Sequence, residues 1–441
     1  VQIARLVALR KVSPVRGRVT PVRPVAIGCC LRRLISKQSR AKHLKAVKKY
    51  CCPIQVAVGV SGAMPILAFG GRMLLDTGEL ACGKADVMNA FQEWDRGVLV
   101  KLLVEPEAEE DGLLPLLPVV HKMYTAAVPL SSAGKCLGEF TFDNPRDGRP
   151  GQVGIDSQQG GQQGDPQTGD VFCVLMQPAF KQLQDELQAR PGAVAGTCVR
   201  GGMDDTYIFC RPEDMAWAYG RLEELLAARG LKVQMAKSLC YAPVAIRHRL
   251  APELVQGAMC RMGAPVGGAL EIVVAGGVDG HGVIISGPAA GMAGSAVKGF
   301  GVDMYGVPVG EAGYVSAVLD ARLTDAESKL KILREKLCNV GFNDQARALN
   351  HFCCAPLLDH LMQCCYPSDT EPFLKRFDRL ILLNYNLITG VDFVGEDRAV
   401  AAEDIRHLKR LRLAARFRGG GLRARGGWVR YASFWGGVNL S

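Results

Sequence analysis

Val199-Arg200-Gly201-Gly202-Met203-Asp204-Asp205-Thr206-Tyr207-Ile208-Phe209-Cys210 sets two adjacent carboxylates between a glycine pair and a short β-prone run. Neighbouring strand residues point to opposite faces, so an Asp-Asp pair on a regular strand could not aim both groups at one cation. At a hairpin tip flanked by glycine, both can be presented together. Such a pair on an exposed turn is ordinary by itself. Its meaning comes from what precedes and follows it.

The chain has 441 residues and 48% apolar content, enough for a large core and two or three subdomains. Its net charge is +10, and the distribution says more than the total. Residues 1–50 hold fourteen Lys or Arg and no acid, the first acid being Asp76. A second acid-free run, Arg406 to Arg430, holds nine more. Two basic ends around a more acidic middle suit a polyanion lying across the molecule. A solvated basic tail is the plain alternative, disfavoured because both runs are interleaved with apolar residues; an anionic membrane surface is the weaker rival. The sixteen cysteines include four adjacent pairs but no Cys-x-x-Cys, which reads as reduced, mostly buried thiols of an intracellular protein rather than a zinc site. With no signal peptide and no apolar span of membrane length, a soluble chain with no membrane partner is expected. It opens without Met and in mid-pattern, so an N-terminally incomplete fragment is also expected.

In chain order, the pattern predicts a strand at Ile3 to Leu9, a turn at Ser13 to Pro24 and a basic helix from Cys29 to Tyr50. A Gly/Ala-rich stretch at 56–71 and a strand-then-helix unit from Arg72 to Val104 follow. Glu105 to Asp111 reads as an acidic loop, and Asp143 to Gly169 as a polar, Gly-rich segment too long to be idle. Val171 to Ala189 has amphipathic helical spacing, and Met215 to Arg229 reads as a helix closed by Gly230. Residues 251–310, with fifteen glycines, read as an insertion containing a hairpin at 271–275 and 283–286. From Val315 to Leu337 apolar residues step by three or four, giving one long amphipathic helix, with further helices to about Leu387.

Three spaced features combine. Asp86 ends the run Ala81 to Ala85. Gln163-Gly164-Asp165-Pro166 ends the glycine-rich segment and opens a helix. Asp204-Asp205 sits on a hairpin. A strand-end Asp and a hairpin Asp brought together could hold two Mg²⁺ ions (Mn²⁺ as a substitute) through carboxylate oxygens, leaving room for waters and phosphates. That is the two-metal arrangement of in-line phosphoryl transfer.

In this order the set resembles the reverse transcriptases of non-LTR retrotransposons. Ala8-Leu9-Arg10-Lys11, Arg23-Pro24-Val25-Ala26-Ile27 and Leu31-Arg32-Arg33-Leu34 resemble the family's fingers motifs, and Val58-Gly59-Val60 with Gly62-Ala63 the next block. Asp86-x-x-Asn89-Ala90-Phe91, with Arg96 behind it, is similar to motif A, and Gly160-x-x-Gln163-Gly164-Asp165-Pro166 to motif B. Met203-Asp204-Asp205 resembles motif C, and Gly230-Leu231 with Lys237-Ser238 motif D. Weaker echoes run through Tyr305-Gly306-Val307-Pro308-Val309-Gly310, Phe377-Asp378 and Gly419-Gly420-Gly421-Leu422.

The resemblance implies an α+β right-hand polymerase: fingers at 1–75, a palm at 76–245 carrying motifs A to D, a Gly-rich connection at 246–310, and a helical thumb with a basic C-terminal region at 311–441. It implies that Asp86 and Asp204 ligate the metals, with Asp205 tuning charge or ligating weakly. Lys11 and Arg23 would grip the incoming triphosphate. Phe91 stands where a bulky ring excludes a 2′-hydroxyl; an ordinary core aromatic is its alternative. Gln163 and Gly164 would lie near the template base and nucleotide, while Asp165 caps the helix that Pro166 starts. Lys237 is a general-acid candidate for the leaving pyrophosphate, or a surface lysine after a turn. An RNA template, the RNA–DNA hybrid and dNTPs are the implied partners, held by residues 1–50 and 406–430 through phosphates, and a nuclear location follows.

The sequence also departs from the family pattern. Gly202 replaces the aromatic before the Asp-Asp, which is expected to loosen the hairpin and reduce activity. Gln167 stands where a Leu is usual, and Gln234 replaces an Asn in motif D. These changes suit a degenerate copy. Two alternatives stay open: a catalytically dead nucleic-acid-binding remnant, and an RNA-dependent RNA polymerase or intron-maturase-like enzyme, which Phe91 disfavours.

Overall fold

The computed structural model describes residues 4–10, 22–28, 30–125, 139–143, 150–154, 159–162, 164–234, 238–250 and 301–389. Lys11, Gln163, Lys237, the hairpin expected within 251–300 and the basic run 406–430 lie outside them. The architecture mixes helix and sheet. Contacts divide the chain into two compact units, Val1–Ala63 with Leu74–Ile284, and Met64–Met73 with Ile285–Ser441.

The first unit opens with β1 (Ala4–Arg10) and β2 (Val22–Gly28), an antiparallel pair that brings Leu9 opposite Arg23. Strand β2 thus begins inside the segment expected to be a turn. Then come α1 (Cys30–Cys51), α2 (Ala63–Asp76, through which the unit boundary runs), β3 (Ala81–Asp86), and the short helices α3 (Ala90–Glu93) and α4 (Arg96–Leu103). The expected acidic loop instead forms helix α5 (Pro106–Glu110), because Pro106 fits the first helical turn and Glu107 and Glu109 complement the helix N-terminus. After α6 (Leu117–Val120), β4 (Glu139–Asp143) and β5 (Pro150–Gly154) complete a sheet of order β2-β1-β4-β5.

The second sheet positions the site. It comprises β6 (Cys198–Gly202), β7 (Asp205–Cys210), β3 and β8 (Leu239–Tyr241) in the order β6-β7-β3-β8, antiparallel throughout. Two helices, α7 (Thr168–Gln188) and α8 (Met215–Ala227), cover its back face. Their close approach needs glycine. A β-carbon on Gly201 would sit 2.7 Å from the Phe180 ring, and one on Gly83 2.6 Å from the Met215 sulfur.

Helix α7 corrects two expectations. It starts at Thr168, two residues beyond Pro166, and its first half is not amphipathic: Val171 to Met176 are all buried. Apolar side chains all round a helix mark a central one. Helix α1 is inverted over its first turns. There it buries Arg32, Ser36, Ser39 and His43 and exposes Leu31, Leu34 and Ile35, while toward its C-terminus Val47 and Cys51 join the core.

In the second unit, β9 (Gly301–Met304) and β10 (Val307–Gly310) form a hairpin whose turn residues Tyr305 and Gly306 both have positive φ. Two such residues suit a tight two-residue hairpin turn. Helix α9 (Ala312–Leu337) buries Val315, Leu319, Leu323, Ala326 and Leu330, the predicted face, and packs on α12 (Pro367–Thr389), which contributes the buried Phe373, Leu374, Phe377 and Ile381. Between them lie α10 (Asn343–Leu349) and α11 (Asp359–Cys364). The cysteines among the described residues are free thiols, eight of them buried, and burial pushes the Cys240 thiol up to about 12. No described helix is long and apolar enough to cross a membrane.

Candidate active site

The β6–β7 hairpin turns on two residues, Met203 and Asp204, with Gly202 and Asp205 as the last paired positions. Met203 takes φ 63°, a left-handed conformation that an L side chain adopts at a cost of about 1–2 kcal/mol. It is held there by packing, its thioether lying over Gly169. Burial, with the charges of Asp170 and Asp204 nearby, pushes the Cys173 thiol well up, so it stays protonated beneath the turn.

Register does the rest. Asp205 stands directly opposite Asp86 across the β7–β3 pair. Cross-strand partners have Cβ atoms about 4.5–5.5 Å apart on one face, so both carboxylates point the same way, and Asp204 adjoins them in the turn. Lys84, two residues before Asp86 on that face, places its Nζ 3.8 Å from Asp205 Oδ1 and 5.6 Å from the Tyr207 ring centre. Sequence reasoning did not single out Lys84. The alternation within β3, combined with the pairing to β7, was the signal that could have found it.

The backbone at Asp86 is clamped. Gln234 N–H donates to Asp86 O (2.7 Å), and Asp86 N–H donates to Ser238 Oγ (3.2 Å), whose hydroxyl in turn donates to Gln234 O. Gln234, where the resemblance expects Asn, uses its main chain here. Gln234 and Ser238 are therefore both anchored against the strand that ends in Asp86.

Beyond Asp86 the chain is knitted to the glycine-rich loop. Gly160 N–H bonds Trp94 O, Gly161 N–H bonds Phe91 O, and Arg96 donates from Nε to Gly160 O (2.7 Å) and from Nη2 to Gln159 O (3.0 Å). Burial lowers the Arg96 guanidinium to about 10, which still leaves it charged near neutrality. Gly160 has φ +64°, and a β-carbon there would fall 2.2 Å from the Gln92 carbonyl carbon, so only glycine fits. Phe91 is half-buried, its ring centre 5.2 Å from that of Phe172 on α7.

The loop's other leg is held from α1. Arg32 Nε donates to Asp165 Oδ2 at 2.8 Å, and both side chains are buried. Asp165 does not cap a helix started by Pro166. Its Oδ1 accepts from Gln167 N–H in a turn that precedes Thr168. Ser39 Oγ accepts from Gln167 Nε2, and Arg40 pairs with Asp170 at 2.9 Å. Burial raises the Asp170 carboxyl, and Arg40 opposes that rise. Between the two legs Gly164 is exposed at φ +114°, a conformation open to glycine. Arg23 lies on β2.

Among the described residues no group of three or more His, Cys, Asp or Glu side chains is arranged to hold a metal ion. Mg²⁺ does not require such a cage. It is usually bound by one or two carboxylates together with waters and substrate phosphates. The cross-strand Asp86 and Asp205, with Asp204 beside them, fit that pattern.

No protein-family model matches the chain, and no curated protein matches it. Among solved structures, it is similar to apo telomerase from Candida tropicalis (TM-score 0.40, 11% identity, 88% of this chain and 62% of that one). It is also similar to telomerase from Candida albicans in complex with a TWJ fragment of telomeric RNA (TM-score 0.36, 11% identity, 92% and 62%). A third is the RNA-dependent RNA polymerase of a human picobirnavirus (TM-score 0.31, 13% identity, 54% and 41%). The chain thus spans less than two thirds of each of these proteins, and at such scores the weight of a functional assignment falls on its own sheet and loop.

Proposed function

We propose that this chain is an RNA-directed DNA polymerase of non-LTR retrotransposon type, extending a primer 3′-hydroxyl with dNTPs on an RNA template. One observation carries the reading. Asp86 and Asp205 stand opposite each other across a β-pair, with Asp204 in the adjoining turn, and the chain that follows Asp86 is bonded to the loop that bears Gly164. Asp86, Asp204 and Asp205 would hold Mg²⁺, or Mn²⁺ in its place. The ions would activate the primer hydroxyl and neutralise charge on the triphosphate. The chain's own residues do the positioning. Phe91, braced on Phe172, offers a rigid edge against a 2′-hydroxyl, and Gly164 lets backbone approach the nucleotide. Lys237 is the candidate proton donor to the pyrophosphate, and Lys11 and Arg23 the candidate grips on the triphosphate. The first unit would supply fingers and palm and the helical second unit the thumb, in a nuclear protein.

The exposed face of α1 supports a nucleic-acid partner. Arg33, Lys37, Lys42, Lys45 and Lys48 are exposed on a helix without an acid. Cations on one helix face bind a phosphate backbone with strong salt dependence and little sequence reading.

The test is primer extension on poly-rA/oligo-dT with dTTP across Mg²⁺ and Mn²⁺, comparing wild type with Asp204→Asn. Loss of extension with retained hybrid binding is expected of the enzyme. Hybrid binding without extension in the wild type sinks the polymerase and leaves a second reading, a non-catalytic nucleic-acid binder. The feature that favours this second reading is Gly202, beside the metal-binding turn, where the resemblance expects a ring.

A further inference from the structure

The glycine-rich loop is held at two ends by different parts of the chain, and only one of them follows from the polymerase motifs. Its first leg, Gln159 to Gly161, is bonded to Phe91, Trp94 and Arg96. Its second leg is bonded inward by Thr168, whose N–H meets Asp165 O and whose hydroxyl donates to Gln162 O. Side chains tie this leg to α1: Gln167 Nε2 donates to Ser39 Oγ, and closest to the tip stands the carboxylate of Asp165. That carboxylate meets Arg32, 133 residues earlier in sequence, at 2.8 Å. Arg32 is 6% exposed and Asp165 8%. The Arg32 guanidinium also lies 5.9 Å from the Tyr124 ring centre, and the Tyr124 hydroxyl is 3.2 Å from Thr168 Oγ1.

We infer that Arg32 is a positioning residue: through Asp165 it sets where the tip of the loop, at Gly164, stands relative to the Asp86–Asp205 pair. The physical grounds are burial, direction and placement. A buried charge must be paired, so the contact is held closed in the folded state. A guanidinium donates from a planar fork and fixes an angle as well as a distance, which an ammonium cannot do. Asp165 is the first residue beyond Gly164, so a small rotation there moves the tip directly. Helix α1 holds this contact on its inner face while its outer face carries the cations, so the two functions of the helix are separable by substitution.

The functional half of this inference rests on the polymerase reading, and the experiment keeps the two apart. The 441-residue chain is compared in three forms: wild type, Arg32→Lys, and the double variant Arg32→Met with Asp165→Asn, which removes both charges of the pair together. The first measurement is hydrogen exchange in peptides covering 159–168, with peptides from α12 as reference. The second is primer extension, separating KM for dTTP from kcat, alongside hybrid binding by anisotropy. For Arg32→Lys, exchange at 159–168 should rise about tenfold, and KM should rise by a similar factor with hybrid binding unchanged. The double variant should keep the α12 exchange of wild type and still show the faster loop. Wild-type exchange and KM in both variants would overturn the inference. So would a uniform fall in kcat, hybrid binding and α12 protection, which is what a brace for the whole fold would give. If the wild type does not extend a primer, the polymerase reading fails, and the exchange data alone decide whether Arg32 holds the loop.

Discussion

Gly160→Ala tests whether the glycine-rich loop is built against the chain that follows Asp86. At φ +64° an alanine costs about 1–2 kcal/mol more than glycine. The new β-carbon would sit 2.2 Å from the carbonyl carbon and 2.3 Å from the oxygen of Gln92. Both are backbone atoms, so no rotamer change relieves the overlap and the leg must move away. That movement stretches the bonds from Gly160 N–H to Trp94 O, Gly161 N–H to Phe91 O and Arg96 Nε to Gly160 O. At about 1 kcal/mol each, with the conformational cost added, the local penalty comes to about 4–5 kcal/mol. Segment-resolved hydrogen exchange reads this directly, and the Gly160 and Gly161 amides should exchange about a thousandfold faster. Gly220→Ala is the control. Gly220 lies on α8 with nothing within 4 Å of a β-carbon, so alanine there should stabilise by about 0.5–1 kcal/mol. Wild-type exchange at 160–161 in Gly160→Ala would refute the close packing of the two segments.

Asp204→Asn should cut primer extension by roughly a hundredfold or more while hybrid affinity stays within a factor of about two, measured by extension and anisotropy together. Phe91→Ala should admit ribonucleotides, scored by UTP against dTTP incorporation, and should cost about 2 kcal/mol of stability because the half-buried ring leaves Phe172. Thr206 is fully buried and its hydroxyl has no hydrogen-bond partner among the described residues, so Thr206→Val should stabilise by about 1 kcal/mol in urea denaturation. Exchanging Lys42 and Lys45 together for Gln should reduce the slope of log affinity against log salt by about 1.8 on duplex hybrid, if each meets one phosphate.

What the sequence made legible was what depends on near neighbours. Strand β7, the hairpin at Asp204-Asp205, the left-handed Gly230 after α8 and the buried face of α9 are local patterns of alternation, turn chemistry and helical spacing. Cross-strand register is not local, so the facing of Asp86 and Asp205 could be inferred only from a motif order. The inner face of α1 was invisible for a different reason. Periodicity looks for apolar residues inside, and there Arg32, Ser39 and His43 are inside, paired or packed with partners more than a hundred residues away in the case of Asp165 and Gln167. The same rule found α7 and its buried Val174, Leu175, Phe180, Leu183 and Leu187, but not the all-round burial of 171–176, since a surrounded turn has no polar face to show its phase. In the acidic segment, Pro106 and two glutamates did announce α5 and were outweighed by overall polarity.

The pairing of Asp86 with Asp205 also separates two kinds of genetic damage. Side chains alternate along β3 with a period of two, so inserting or deleting one residue between Ala81 and Asp86 turns every later side chain to the other face. The Asp86 carboxylate would then point toward the layer where Gly83 now meets Met215 and Tyr219. A point substitution in the hairpin alters a single side chain and keeps the frame. Substitutions can therefore dismantle this carboxylate cluster by degrees, whereas a single in-frame codon gained or lost in this strand abolishes it in one event.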